Sequence, residues 1–182
     1  MIHIHTSEIR EAIRKLHAGD TVLLSGKIYT ARDAAHSRMS ELLSDGKPLP
    51  FPIADSVIYY AGPTPAKPGM PIGSCGPTTS SRMDKFTPAL LDLGLAAMIG
   101  KGDRSHEVID AMVRNGAVYF CATGGAGALI SGCIRSARQI AFPDLGCESI
   151  MELTVSDFPL ICAIDSRGSN LFETGRPMYA IK

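Results

Sequence analysis

The chain has 182 residues, 45% of them hydrophobic and 20% charged, with 18 Lys and Arg against 18 Asp and Glu. That length supports one ordinary domain over residues 1–182, and a net charge of zero excludes the strong field that draws nucleic acid or an anionic membrane. No apolar run reaches the roughly 20 residues of a bilayer helix and the start lacks the order of a signal peptide, so the expected location is the cytoplasm.

Residues 6–20, "TSEIREAIRKLHAGD", place Ile9, Ile13 and Leu16 on one helical face and stop at Gly19. "TVLLSGKIYT" reads as a strand or as a hairpin around Ser25 and Gly26, and it delivers Arg32 to a helix from about Asp33 to Gly46. "SVIYYAG" is a strand, and "PTPAKPGMPIG" is a connection with too many prolines for regular structure. Thr87 and Pro88 are expected as cap and first residue of a helix running through "ALLDLGLAAMIG". "SHEVIDAMVRNG" is a capped helix, "AVYFCAT" a buried strand, and "GGAGALISGCIRSARQI" a turn and helix. "SIMELTVS" and "LICAID" suggest a hairpin about Asp157, Phe158 and Pro159, and "ETGRPMYAIK" a surface tail. Strands alternate with helices, so the class is α/β; no repeat or domain boundary interrupts it.

Five cysteines, Cys75, Cys121, Cys133, Cys147 and Cys162, include no C-x-x-C pair. Reduced thiols are expected, with Cys121 and Cys162 as small core residues, rather than a disulfide framework or a zinc ribbon. Gly124 to Gly127 lie between a strand and a helix but match neither G-x-G-x-x-G nor a P-loop, so close packing or an interface role competes with nucleotide binding. His3 and His5 share a strand face and suit a terminus more than a metal site, and His17 and His106 have no nameable partner. His36 lies one helical turn beyond Arg32, with Asp33 at the helix start between them, so His36 and Arg32 can face the same space; helix capping by Asp33 and a buried hydrogen-bonding place for His36 are the competing readings.

"CGPTTSSRM", residues 75–83, is the stretch richest in chemistry. A turn beginning at Thr78, Thr79, Ser80 and Ser81 offers backbone N–H groups and hydroxyls to an anion, and Arg82 adds a bidentate fork for a carboxylate. An ordinary capping turn with a surface arginine is the competing reading. Arg32 at a strand end and Lys101 in "MIGKGD" stand where α/β proteins gather ligand-binding groups.

"SGKIYTARDAAH", "YYAGPTPAKPGMPIGSCGPTTSSRMD", "MIGKGD" and "FPDLGCESIMELTVSDFPLICAIDSRG" together resemble the β subunit of two-subunit class I fumarate hydratases, or the C-terminal domain of the single-chain form. The β subunit of L-tartrate dehydratase belongs to the same family. The resemblance spans residues 5–175 and implies a single swivelling β/β/α domain. It also implies a hydro-lyase interconverting fumarate and L-malate, with a 4Fe-4S cluster held by the α subunit and no metal on this chain. The implied assembly is a dimer of αβ pairs. Carried over by position, Arg32, Arg82 and Lys101 would bind the dicarboxylate with Thr79, Ser80 and Ser81. Thr78 would transfer the proton, activated by His36 or by an α-subunit carboxylate. The loop departs from the family's Thr-Thr-Ala-Gly-Arg form in having serines before Arg82. Tartrate as substrate, and a stand-alone small-anion or nucleotide-binding module, are the alternatives.

Overall fold

A computed structural model describes residues 1–180. Within them run β1 (Ile2–His5), α1 (Ile9–Ile13), β2 (Thr21–Thr30), α2 (Asp33–Ser44), β3 (Val57–Tyr59), α3 (Thr87–Asp92), β4 (Ala97–Gly100), α4 (His106–Asn115), β5 (Val118–Cys121), α5 (Gly127–Ser131), β6 (Ile134–Ala141), β7 (Ile150–Ile164) and α6 (Leu171–Tyr179). The α/β class is as expected. β2, β3, β4 and β5 are parallel neighbours in that order, and α2, α3 and α4 lie in their connections. β7 runs antiparallel to both β2 and β5, so the sheet closes on itself as β2-β3-β4-β5-β7, with β1 and β6 added beside β2 and β7.

The period-two alternation of a strand sends neighbouring residues into two cores. Val57, Tyr59, Ala97, Ile99, Val118 and Phe120 join Ile9, Ile13 and Leu16 in one. Ile58, Tyr60, Met98 and Tyr119 join Met39, Leu90, Val108 and Met112, from α2, α3 and α4, in the other. Parallel strands covered on both faces read as continuous apolar runs, which is why β4 hides inside an apparent helix. The expected helix through Gly100 in fact ends at Asp92; Gly94 turns at φ 98°, and Ala97–Gly100 is β4. Thr87 is the first helical residue rather than the cap, and its hydroxyl donates to the Met83 carbonyl at 2.9 Å.

The second half departs further from expectation. Only Gly127–Ser131 is helical in "GGAGALISGCIRSARQI", and Ile134–Ala141 is a strand paired to β7. The strand reading of Thr21–Thr30 holds over its hairpin alternative, and the hairpin expected about Asp157 does not form. β2 and β7 are each single strands, paired along their length except at a bulge where Gly26 (φ 110°) and Asp157 (φ 53°) take left-handed backbone. Pro159 falls where β7 has left β6 and not yet reached β5, so a residue without an N–H fits inside the strand. The expected tail is helix α6 up to Tyr179; Ile181 and Lys182 lie outside the described residues. No helix among the described residues is long and apolar enough to cross a membrane.

The parallel arrangement points the carboxyl ends of β2, β3, β4 and β5 to one side of the molecule, the side on which open α/β sheets collect ligands. Gly26 tests the bulge in the middle of β2. A Cβ there would stand 2.3 Å from Thr6 Oγ1 and 3.1 Å from Thr6 N. Gly46 also has positive φ (66°) but open space around it. Gly26→Ala should lower the unfolding free energy in urea by more than about 1 kcal/mol and by more than Gly46→Ala does. Equal losses would mean that the close approach of Thr6 does not constrain the strand.

Candidate functional site

The site begins where β3 and β4 end. The Thr78 N–H donates to the Tyr60 carbonyl at 2.7 Å, the Lys101 N–H to the Thr78 carbonyl at 3.2 Å, and the Ser80 N–H to the Lys101 carbonyl at 2.9 Å. These bonds lay the loop against the strand ends, with Pro77 bridged to Ala61 and Thr79 to Lys101. Gly100 permits the approach, since a Cβ there would lie 1.9 Å from Ser80 Oγ. Ser80, expected among the ligand groups, is fully buried and committed to the protein. Its hydroxyl lies 2.7 Å from the Tyr119 hydroxyl and accepts the Lys101 N–H at 3.1 Å, while Tyr119 donates to the Gly102 carbonyl at 2.9 Å. Thr79 and Ser81 are exposed and Thr78 is half-buried; among the described residues their hydroxyls make no hydrogen bond.

The three expected cations surround this loop. Lys101 follows β4, lies exposed beside Gly124, and its ammonium pairs with no carboxylate among the described residues. Arg82 closes the short 3-10 turn Ser80–Met83 and donates from Nε to Asp33 Oδ1 at 2.8 Å. Arg32 follows β2. Its guanidinium stands 3.9 Å from Asp33 Oδ2 through Nε and 3.5 Å from Glu148 Oε1 through Nη2. Gly62 leaves room for it, since a Cβ there would sit 2.7 Å from Arg32 Nη1. Glu148 is itself fixed, accepting the Ala34 N–H at 2.9 Å in the first turn of α2.

His36 takes the buried, hydrogen-bonded place that competes with a role beside Thr78. Its ring is buried, with Nδ1 2.9 Å from the Arg32 carbonyl, and it packs on Tyr60 and Phe86 rather than on the threonine loop. With a carbonyl as partner, Nδ1 carries the proton and Nε2 is left buried without one. Burial pushes the pKa of His36 down to about 4, which keeps the ring neutral.

Beneath the loop lies a group that the sequence reading missed. Arg104 is buried and donates to Asp84 Oδ1 at 2.7 Å and Thr87 Oγ1 at 2.9 Å, between the rings of Tyr60 and Tyr119. Asp84 Oδ2 accepts the Ser105 N–H at 2.7 Å, so one carboxylate joins the loop's end to the start of α4. Burial disfavours the charged guanidinium, but Tyr60, Asp84 and Tyr119 outweigh it and raise its pKa above the ordinary value. The signal in the sequence was slight: an Asp two residues after Arg82, and an Arg three after Lys101.

The arrangement gathers three cations and a loop with unbonded hydroxyls at the ends of parallel strands. A family model described as Fumarase C-terminus matches residues 1–175. The chain belongs to that family. It is 39% identical over 170 residues to the putative L(+)-tartrate dehydratase subunit beta of Methanocaldococcus jannaschii, covering 90% of this chain and 87% of that one. It is 38% identical over 168 residues to the anaerobic class I fumarate hydratase of Escherichia coli K12, and 35% identical over 167 residues to fumarate hydratase 2 of Leishmania major. Those two matches cover 91% of this chain but only 31% and 29% of the fumarate hydratases.

Within this fumarase C-terminus chain, Arg104 makes the clearest prediction. Arg104→Met removes one partner of a buried pair and leaves Asp84 uncompensated, which should cost about 3–5 kcal/mol in urea unfolding. A loss below about 1 kcal/mol would mean that water already reaches the pair.

Proposed function

We propose that the chain is the β subunit of a hydro-lyase that interconverts fumarate and L-malate, with L(+)-tartrate as the alternative substrate of the same site. The observation that carries this reading is the gathering of Arg32, Arg82 and Lys101 around the Thr78–Ser81 loop at the carboxyl ends of β2, β3 and β4. A dicarboxylate dianion entering a site shut from water needs oriented cations at its carboxylates. The exposed hydroxyls and amides of Thr79 and Ser81 add neutral donors. Tartrate is kept because the M. jannaschii relative, named for that reaction, is covered along nearly its whole length.

The family resemblance brings a 4Fe-4S cluster, which we assign to the α subunit. This chain's cysteines do not fit it. Cys75 and Cys162 are buried thiols pushed up to about 12 by burial, and no group of three His, Cys, Asp or Glu among the described residues is placed for a metal ion. The steps proposed here belong to the chain's own residues. Removing the proton beside a carboxylate builds charge on that carboxylate, and the forks of Arg32 and Arg82 would meet it as it develops. Thr78 is proposed to pass that proton; a hydroxyl is too weak a base unaided, so the α subunit would supply the group that activates it. His36 is given the task of holding the Arg32 backbone. The chain would act as the swivelling β/β/α half of a cytoplasmic dimer of αβ pairs, closing over the substrate.

Co-production with the α subunit without oxygen, cluster reconstitution, and assays of fumarate and tartrate side by side test the reading. Arg82→Ala should lower kcat/KM on the order of 100-fold while the complex still assembles. Wild-type kinetics would remove Arg82 from the site. Thr78→Val should lower kcat far more than it raises KM; equal losses in both would make Thr78 a ligand only.

A further inference from the structure

The two arginines of the site are joined by Asp33, for which the sequence pattern offers only helix capping. Asp33 opens α2, and its two oxygens face different cations. Oδ1 accepts from Arg82 Nε at 2.8 Å. Oδ2 is buried without a partner and lies 3.9 Å from Arg32 Nε, a donor that is also buried without a partner. A complementary donor and acceptor, both dry and slightly too far apart to bond, are costly to leave unpaired, and such pairs mark places where a ligand or a small movement completes the structure.

The surroundings of Arg32 sharpen the point. Its side chain is only 20% exposed, yet among the described residues its guanidinium makes no hydrogen bond. Its charge is balanced at 3.5 Å by Glu148 and at 3.9 Å by Asp33, beyond good hydrogen-bond distance in both cases. Arg82 commits Nε alone to Asp33 and keeps both terminal nitrogens available. Each arginine is therefore held by charge while its terminal nitrogens make no hydrogen bond among the described residues.

We propose that Asp33 is a positioning residue for the dicarboxylate site, setting the spacing of Arg32 and Arg82 and closing its gap to Arg32 Nε when a carboxylate engages that guanidinium. The inference rests on the proposed dicarboxylate reading of the site. Asp33→Asn is the informative change. The amide keeps one oxygen for Arg82 Nε but turns an N–H donor toward the Arg32 donor, so the Arg32 arm is lost selectively. Glu148→Gln keeps an oxygen for the Ala34 N–H, removes the second charge beside Arg32, and perturbs the same arm from the other side.

The test uses the reconstituted αβ complex, with fumarate as substrate and succinate as an inert dicarboxylate that reports binding alone. Asp33→Asn should raise KM for fumarate and the dissociation constant for succinate about tenfold each, with kcat changed less, and Asp33→Glu should recover part of the loss. A residue that merely opened a helix would lower the melting temperature and leave both constants alone. If the wild-type complex hydrates fumarate but both constants are unchanged in Asp33→Asn, this inference fails by itself. An inactive wild-type complex overturns the proposed reaction, and succinate calorimetry then decides here: equal affinity for wild type and variant refutes the role of Asp33, and no binding by the wild type refutes both. Should Asp33→Asn fail to fold by circular dichroism, Glu148→Gln decides, with about a threefold or larger rise in the succinate constant expected and no change contradicting the proposal.

Discussion

Arg104 carries its charge where water does not reach, and groups from several segments keep it there. Asp84 pairs with it, Thr87 accepts a hydrogen bond from it, and Tyr60 and Tyr119 offer their ring faces. Taking a guanidinium out of water costs several kcal/mol, so such a group persists only when its partners are fixed in number and place. The consequence runs outward: Asp84 ends the turn that carries Arg82, Thr87 begins α3, and Tyr119 also ties the hydroxyl of Ser80. The threonine loop is therefore anchored by a buried network, while Thr79, Ser81, Arg82 and Lys101 are exposed.

That division explains how one loop can be both rigid and receptive. Thr78 and Ser80 bond through their backbones to Tyr60 and Lys101 at the strand ends, which fixes the loop without using the hydroxyls of Thr78, Thr79 or Ser81. Asp33 and Glu148 restrain the arginines, and the ammonium of Lys101 has no carboxylate partner among the described residues. The chain spans less than a third of the length of the two fumarate hydratases it matches.

Much of this was legible before any coordinates. α4 announced itself through Ser105 at its start and Gly116 at its end, where the backbone turns left-handed at φ 62°. Arg32, Arg82 and Lys101 stood out as cations next to strand ends and turns. β4 and β6 did not stand out, because a short apolar or mixed run adjoining a helix carries no period of its own. The bulge at Asp157 looked like a turn because Asp, Phe and Pro in sequence are turn chemistry; only pairing with a strand over a hundred residues away makes them one strand. The same limit hid the supports of the site. Glu148 reaches Arg32 across the fold, Asp84 is 20 residues from Arg104, and Ser80 looked like a ligand because nothing local shows Tyr119 against it. Local chemistry singles out the cations and the exposed hydroxyls; the groups that hold them are long-range by nature.

The most direct measurement is a crystal structure of the αβ complex with succinate bound. The account expects one carboxylate on the Arg82 fork and the Thr79 and Ser81 groups, the other carboxylate toward Lys101 or Arg32, and Arg32 Nε within hydrogen-bond distance of Asp33. Succinate bound elsewhere, with Arg32, Arg82 and Lys101 all turned to solvent, would contradict it.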